Sequence, residues 1–296
     1  MLIFYPIMAA KHKPPIQNPL ARNKPHGGAV GVPGRSIGFE MTSKPPIVTL
    51  TSDFGLSDPY VACMKAAILR YCPDAVLIDV THNVPRQDIL CGSISLERAI
   101  DGFGPGAVHL AVVDPGVGGP RRILLAQIRG SFIVCPDNGL ISWAWHRLGP
   151  GTASELIWRP ARKAADTFHG RDIMAPVAGM LASGESPDGL SRQIDLPVLL
   201  DIAPVRPPAK SGQIIHIDHF GNATTNVARE SLRSMHKLSV RVGRKQVGRF
   251  KRTYIDAAPG CPLALFGSSG LLEIAVRDGS AAKQLGLRVG DPVVIK

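Results

Sequence analysis

The sequence predicts an α/β protein: an N-terminal α/β part with a largely parallel central sheet, followed by a small antiparallel β-barrel. Three observations carry this prediction. From Ile47 to about residue 200, short apolar runs alternate with segments of helical periodicity, the pattern of a parallel sheet with crossover helices. Beyond a proline-rich connector, LLDIAPVRPPAKSG, the pieces become short, strand-like and punctuated by glycine, as in small barrels. The chain is 296 residues long, 45% hydrophobic and 19% charged, the balance of a globular chain with a large core.

The elements follow in order. Residues 1–46 hold eight prolines and no sustained periodicity, and read as a disordered extension. Their opening, MLIFYPIMAA, is short, contains Pro6 and has no basic run before it, so it does not read as a secretory signal. IVTLT (47–51) is a buried strand. A loop follows, with Asp58 placed to cap a helix whose first residue is Pro59. Val61, Met64, Ile68 and Cys72 form that helix's stripe. AVLIDV (75–80) is a second strand, and Asp88 caps a second helix. AVHLAVVD (107–114) is a third strand, RILLAQI and SFIVCPD a strand pair, ISWAWHRL a short helix, and RDIMAPVAGMLASG (171–184) a helix ending at Gly184. QIIHID, LSVRV, QVGRF, PLALF, LEIAV and DPVVIK supply the barrel strands. The expected domains are therefore 47–205 and 211–296.

Net charge is +11, from 34 basic and 23 acidic residues, which invites a polyanion-binding reading. The extension alone holds six basic residues against Glu40, so +5 of the total belongs to it. The segment Arg229–Arg252 holds nine basic residues but a single aromatic, Phe250. That is a poor stacking platform for single strands and reads as a solvated barrel face. No apolar run reaches the ~18 residues of a membrane span. Five cysteines, odd in number and without a CxxC pair, read as buried thiols in a reducing cytoplasm.

In open α/β sheets, ligands bind beyond the carboxyl ends of strands. Three such ends here are polar: Thr51-Ser52-Asp53-Phe54-Gly55, Asp114-Pro115-Gly116-Val117-Gly118-Gly119 with Arg121 and Arg122 after it, and Cys135-Pro136-Asp137-Asn138-Gly139. A fourth candidate, Phe168-His169-Gly170-Arg171-Asp172, precedes a helix. Each has a structural alternative. Asp53 suits an Asx turn, Asp114 a turn before Pro-Gly, Arg121 a solvated strand start and His169 a cap or core position. Arg171 and Asp172 suit helix structure. Asp218-His219-Phe220-Gly221-Asn222-Ala223-Thr224-Thr225-Asn226 suits either a plain hairpin turn or a ligand loop. A P-loop, a GxGxxG and an HExxH are all missing, which removes the chemistry that each would signal. No metal site is expected.

Taken in register, TSDFGLSDPYV, DVTHNVPRQDI, VVDPGVGGPRR, CPDNGL, FHGRDIMAP, DHFGNATTN and GSSGLLEIAVRDGSAA resemble the S-adenosyl-L-methionine hydrolase (adenosine-forming) family. It is also called S-adenosylmethionine hydroxide adenosyltransferase and is related to fluorinase and chlorinase. The resemblance covers residues 47–296. It implies a homotrimer with active sites between the N-domain of one chain and the C-domain of the next. It also implies hydrolysis of S-adenosylmethionine to adenosine and methionine by in-line attack of water on C5′, with no metal or other cofactor.

The implied catalytic residues are Asp114, Arg121 and His169. Arg122 competes for the arginine role, because Gly119-Pro120 replaces the more usual Thr-Glu. Implied substrate contacts are Asp53 to the ribose hydroxyls, Asp58 to the methionine ammonium, and Phe168 beside ribose and adenine. From the barrel come Phe220 and Tyr254 around adenine, Asn222 and Asp218 at its edge or the amine, and Ser268 and Ser269 at the carboxylate. The halogenases carry arginine where Ser269 stands. Two alternatives are a halogenase of the same family, which lacks the hydrolase triad, and a basic nucleic-acid-binding module. The expectation is a cytoplasmic enzyme without nucleic-acid or membrane partners.

Overall fold

A computed structural model of the chain describes residues 44–232 and 238–296; the expected extension, except its last three residues, lies outside them. Strand β1 (Ile47–Ser52) is almost wholly buried, as an uninterrupted apolar run demands. Helix α1 (Tyr60–Leu69) buries Val61, Met64, Ala67 and Ile68, close to the expected stripe. Asp58 does not cap it. Pro59 takes the cap position and accepts the first helical bond, from Cys63 N at 2.9 Å. The helix therefore starts one residue late for Asp58 to reach its free amides.

Strand β2 (Val76–Thr81) leads to helix α2 (Ile89–Phe103), where Asp88 Oδ1 accepts from Cys91 N at 2.9 Å, the expected cap. Strands β3 (Val108–Val112), β4 (Ile123–Ile128) and β5 (Ser131–Pro136) follow. Arg129 and Gly130 both take positive φ, 49° and 78°, which closes β4 and β5 into a tight hairpin whose twist matches its strands. Helix α3 (Ser142–Arg147) and strand β6 (Thr152–Leu156) come next. A π-helical turn (Gly170–Met174) then runs into helix α4 (Ala175–Ala182), and β7 (Ser191–Gln193) ends this part.

The first sheet has the order β2-β1-β3-β5-β4-β6-β7. Strands β2, β1, β3 and β5 are parallel, and the β4, β6 and β7 edge is antiparallel. Alternation along β3 splits the core in two. Val108, Leu110 and Val112 pack with α1 and α4, while Ala111 and Val113 pack with α2 and α3. The result is a three-layer α/β/α sandwich.

The second sheet joins β8 (Ser211–Ile217), β9 (Ala223–Ala228), β10 (Ser239–Val242), β11 (Lys245–Arg249), β12 (Pro262–Phe266), β13 (Leu271–Val276) and β14 (Pro292–Ile295). A short helix α5 (Ala281–Gln284) precedes β14. The order is β11-β10-β14-β8-β9-β13-β12 and every pairing is antiparallel. Beyond β11, a bridge from Phe250 to Ala264 and a 2.8 Å bond from Lys251 N to Ala264 O bring the two edges together. The sheet is thus a nearly closed barrel around Val227, Val240, Ile274 and Val293. Ile94 and Trp143 from α2 and α3 pack with Ile202, Ile215, Ala228 and Leu271, which seats the barrel on the sandwich. The cysteines are all free, but only Cys72 and Cys135 are fully buried and Cys261 is exposed. The basic segment Arg229–Arg252 lies partly outside the described residues.

Candidate active site

Asp53, Asp114 and Asp137 follow β1, β3 and β5, three parallel neighbours, so they share one sheet edge. Two glycines let the other elements close on that edge. Gly118 has φ +79°, and a Cβ there would stand 2.6 Å from Asp166 O. The loop after Asp114 therefore packs directly on the segment that carries His169. A Cβ on Gly170 would come within 3.2 Å of Val112 on β3, so glycine seats the π-helical turn on the strand end.

Asp114, Arg121 and His169 are brought together. Arg121 Nε donates to Asp114 Oδ1 at 2.8 Å and to Oδ2 at 3.0 Å, and Nη2 also donates to Oδ2. Nη2 lies 3.2 Å from His169 Nδ1. Both side chains of the ion pair are largely buried, Asp114 to 5% residual exposure. Burial, and then the charge of Arg121, hold the His169 imidazole below its ordinary pKa, while Asp114 opposes them. The ring is therefore neutral near pH 7. An arginine can only donate, so Nδ1 accepts and the ring proton sits on Nε2.

Arg122 turns the other way. Its Nε donates to Asp137 Oδ2 at 2.8 Å, and Asp137 Oδ1 accepts from Val198 N at 2.7 Å. The third strand-end carboxylate is thus spent on the segment just before the connector, and Arg122 with it. Asp53 makes no Asx turn: its Oδ2 accepts from Gln87 N at 2.8 Å, far along the chain. Phe168 meets Phe54 and Tyr60 edge-on at 5.8 and 5.5 Å, and Arg171 stacks on it at 4.9 Å. Arg171 is locked to Asp172, the structural pairing. Asp58 is exposed, two residues before Tyr60.

The barrel residues gather elsewhere. A cleft of about 1340 Å³ is lined by Asp218, Phe220, Asn222, Tyr254, Ser268 and Ser269, and by none of Asp53, Asp58, Asp114, Arg121, Phe168 or His169. Asp218 Oδ1 accepts from Phe220 N and Asn222 N at 2.9 and 2.8 Å, and Oδ2 from Asn222 Nδ2 at 3.2 Å. This turn projects Phe220, which is 73% exposed, a high cost for so large an apolar ring in water. Tyr254 donates to Glu273 Oε1 at 2.6 Å. Burial, then this carboxylate, push the phenol's pKa up, and burial raises that of Glu273 itself.

Glu97 and Arg147 of this cleft lie outside every motif quoted above, and Glu273, inside GSSGLLEIAVRDGSAA, was given no role there. Arg147 Nη2 donates to Ser269 O at 3.0 Å, and its Nε lies 3.5 Å from the buried carboxylate of Glu97. An arginine from α3 thus fastens the Ser268-Ser269 turn to the sandwich. The available signal was a glutamate on the apolar stripe of α2, beside Ile94 and Ile100. Among the described residues, no group of His, Cys, Asp and Glu is arranged to hold a metal, and no helix is long and apolar enough to cross a membrane.

The fold and site define a class: a sandwich-plus-barrel protein with a carboxylate–guanidinium–imidazole cluster at its strand ends and an aromatic cleft on its barrel. The SAM hydroxide adenosyltransferase N-terminal domain matches residues 48–191, and the C-terminal domain of that family matches residues 212–294. The chain belongs to the SAM hydroxide adenosyltransferase family. It is 40% identical over 256 residues to a Thermus thermophilus protein named (R)-S-adenosyl-L-methionine hydrolase, covering 83% of this chain and 98% of that one. A crystal structure of an uncharacterized conserved protein from Thermotoga maritima superposes with a TM-score of 0.78 at 33% identity, over 84% of this chain and all of the other. A fluorinase from Nocardia brasiliensis is more distant, 25% identical over 85% of this chain and 97% of its own.

Proposed function

We propose that this chain hydrolyses S-adenosyl-L-methionine to adenosine and L-methionine. The observation that carries the reading is the Asp114–Arg121–His169 cluster with its neutral imidazole. The sulfonium makes methionine a neutral thioether leaving group, so no acid, metal or other cofactor is needed on that side. The demand falls on the water that attacks C5′ opposite sulfur. His169 donates its Nε2–H to that water and orients it. Asp114 takes up its proton as the C–O bond forms and the C–S bond breaks. Arg121 holds both partners in place and stabilises the charge that develops. Positioning the two reactants supplies much of the rest. The relatives' name specifies the (R) configuration at sulfur, and we carry that preference over.

We assign substrate roles by motif. Asp53 takes the ribose hydroxyls, Asp58 the ammonium, and Phe168 the nucleoside face. Phe220 and Tyr254 sandwich adenine, Asn222 and Asp218 bond its edge or the amine, and Ser268 with Ser269 takes the carboxylate. The strand-end residues and the barrel cleft of one chain share no cavity. We therefore pair one chain's strand ends with its neighbour's barrel, carry the homotrimer over from the family resemblance, and read the chains as cytoplasmic, each with domains 47–205 and 211–296. The relationship to hydrolases favours this reading over the halogenase and nucleic-acid alternatives. The test is incubation of purified protein with the (R)- and (S)-epimers, with and without halide. Equimolar adenosine and methionine from the (R)-epimer, independent of halide, are expected. Intact substrate or a halogenated nucleoside overturns the proposal.

A further inference from the structure

A second cavity lies on the α1/α4 face of the sandwich, lined by none of the residues of the proposed catalytic site. It has a volume of about 560 Å³, within the roughly 300–1,000 Å³ of small-molecule sites. Its walls are the C-terminal half of α1, the segment 158–164 after β6, and the turn leading into α4. Four cations line it, Arg70, Arg162, Lys163 and Arg171, against a single carboxylate, Asp172.

That carboxylate is already spent. Arg171 Nε and Nη2 donate to its two oxygens at 2.5 and 2.8 Å, and Ala165 N donates to Oδ2 at 2.8 Å. Lys163 lies 3.6 Å from Asp166, but both ends of that pair are largely solvated, which leaves it weak. Arg70 and Arg162 have no carboxylate within ion-pair reach among the described residues. Two unmatched guanidinium forks facing one concavity are the donor set of a phosphate site. The same cavity offers the indole of Trp158 and the phenol of Tyr71, flat apolar walls suited to a ring.

We propose that this cavity binds a small phosphorylated, ring-bearing molecule of the nucleotide class, with Arg70 and Arg162 on its phosphates and Trp158 or Tyr71 on its ring. A compact concave site favours a monomer over a polymer, and the basic barrel segment is not part of it. The proposal does not rest on the hydrolase reading, since no residue of the proposed catalytic site lines this cavity. The two are physical neighbours through Arg171, which lines the cavity and stacks on Phe168.

The full chain would be titrated with GTP, tripolyphosphate, adenosine and a short RNA, by calorimetry and by tryptophan fluorescence. Saturating adenosine would be present for the charged ligands, so that the proposed catalytic site is filled. The expected result is one GTP per chain with a change in fluorescence. Tripolyphosphate binds more weakly, and adenosine, held at the proposed catalytic site, does not compete with GTP. The double variant Arg70→Ala/Arg162→Ala weakens GTP binding about tenfold or more, about 1.4 kcal/mol, at unchanged thermal midpoint, and Asp114→Asn binds GTP normally. No GTP binding at millimolar concentration, equal affinity in the double variant, tripolyphosphate binding as tightly as GTP, or binding of RNA alone each overturns the proposal.

Discussion

Two adjacent arginines follow the Asp114 loop, and the structure gives them opposite partners, so Arg121→Lys and Arg122→Lys should behave differently. Arg121 serves two acceptors at once: both oxygens of Asp114, and Nδ1 of His169 at 3.2 Å. A lysine ammonium is a point donor and cannot hold that fork. It can keep the carboxylate but loses the imidazole. One charge-assisted bond at the reacting centre is worth about 1.5–3 kcal/mol, which at ~1.36 kcal/mol per decade predicts a fall in kcat of about 10- to 150-fold. Lysine is the right substitution, because alanine would leave the buried Asp114 carboxylate without a partner and endanger the fold. Arg122 is 38% exposed and pairs with Asp137 away from the cluster. Its lysine variant should keep kcat within about threefold and cost no more than about 1 kcal/mol of stability. Adenosine release at saturating substrate, followed by chromatography beside a thermal melt of each variant, decides the matter. A large loss in Arg122→Lys with Arg121→Lys near wild type would refute the assignment.

Other consequences follow from the same geometry. Burial and Arg121 hold His169 below its ordinary pKa, so its acceptor form survives as pH falls. The acid limb of kcat/KM should therefore lie below about 6.5, and a limb above that value would contradict the neutral-ring arrangement. His109, fully buried with Nδ1 2.7 Å from Thr49 Oγ1, is pushed down to about 4 by burial. Its folded pKa is depressed, so its contribution is present above about 6.5 and is lost as pH falls toward 4. Denaturant unfolding should show about 2–3 kcal/mol less stability at pH 4.5 than at pH 7 from this group. His109→Gln should flatten that dependence, and an unchanged slope argues against it. Glu273 fixes the Tyr254 hydroxyl at 2.6 Å, so Glu273→Ala should raise KM about tenfold with kcat little changed, whereas Glu273→Gln, which keeps an acceptor, should stay near wild type. Equal KM in both variants would remove the positioning role.

Much of the sandwich was legible because its signals are local. The apolar runs of β1 and β3, the Asp88 cap and the β4/β5 hairpin each depend on residues within one turn or strand. Misses came where the cause is distant. Ala223–Asn226, read as part of the turn or ligand loop that starts at Asp218, instead opens β9, all six of whose residues are buried. It lies between β8 and β13, and Asn226 is satisfied by the connector, donating to Ala203 O at 2.9 Å and accepting from Gln213 N at 2.8 Å. Burial between two strands erases the alternation that a half-exposed strand would show. Strands β6 and β7 are short pieces with few apolar positions, and their pairing is tertiary. The candidate residues were visible as motifs, but the choice between Arg121 and Arg122 was not. It depends on which neighbour sits beside each side chain, and Val198, just before the connector, helps to decide that.

The separation of strand-end and barrel residues leads to the sharpest test of assembly. Phe220 is the most exposed large apolar side chain described, and it stands in a cleft that none of Asp114, Arg121 or His169 of its own chain lines. If a neighbouring chain supplies that residue, two dead variants should rescue each other. His169→Ala spoils the strand-end half and leaves the barrel half intact, while Phe220→Ala with Asn222→Ala does the reverse. In closed rings assembled at random from equal amounts of both, a site works when a sound strand end meets a sound barrel on the next chain. That combination occurs in about one site in four for a cyclic head-to-tail assembly. Co-expression of the two variants should therefore restore about a quarter of wild-type adenosine release, whereas mixing the separately purified variants without subunit exchange should restore almost none. If each chain formed its site within itself, co-expression would restore nothing, because every chain carries one damaged half.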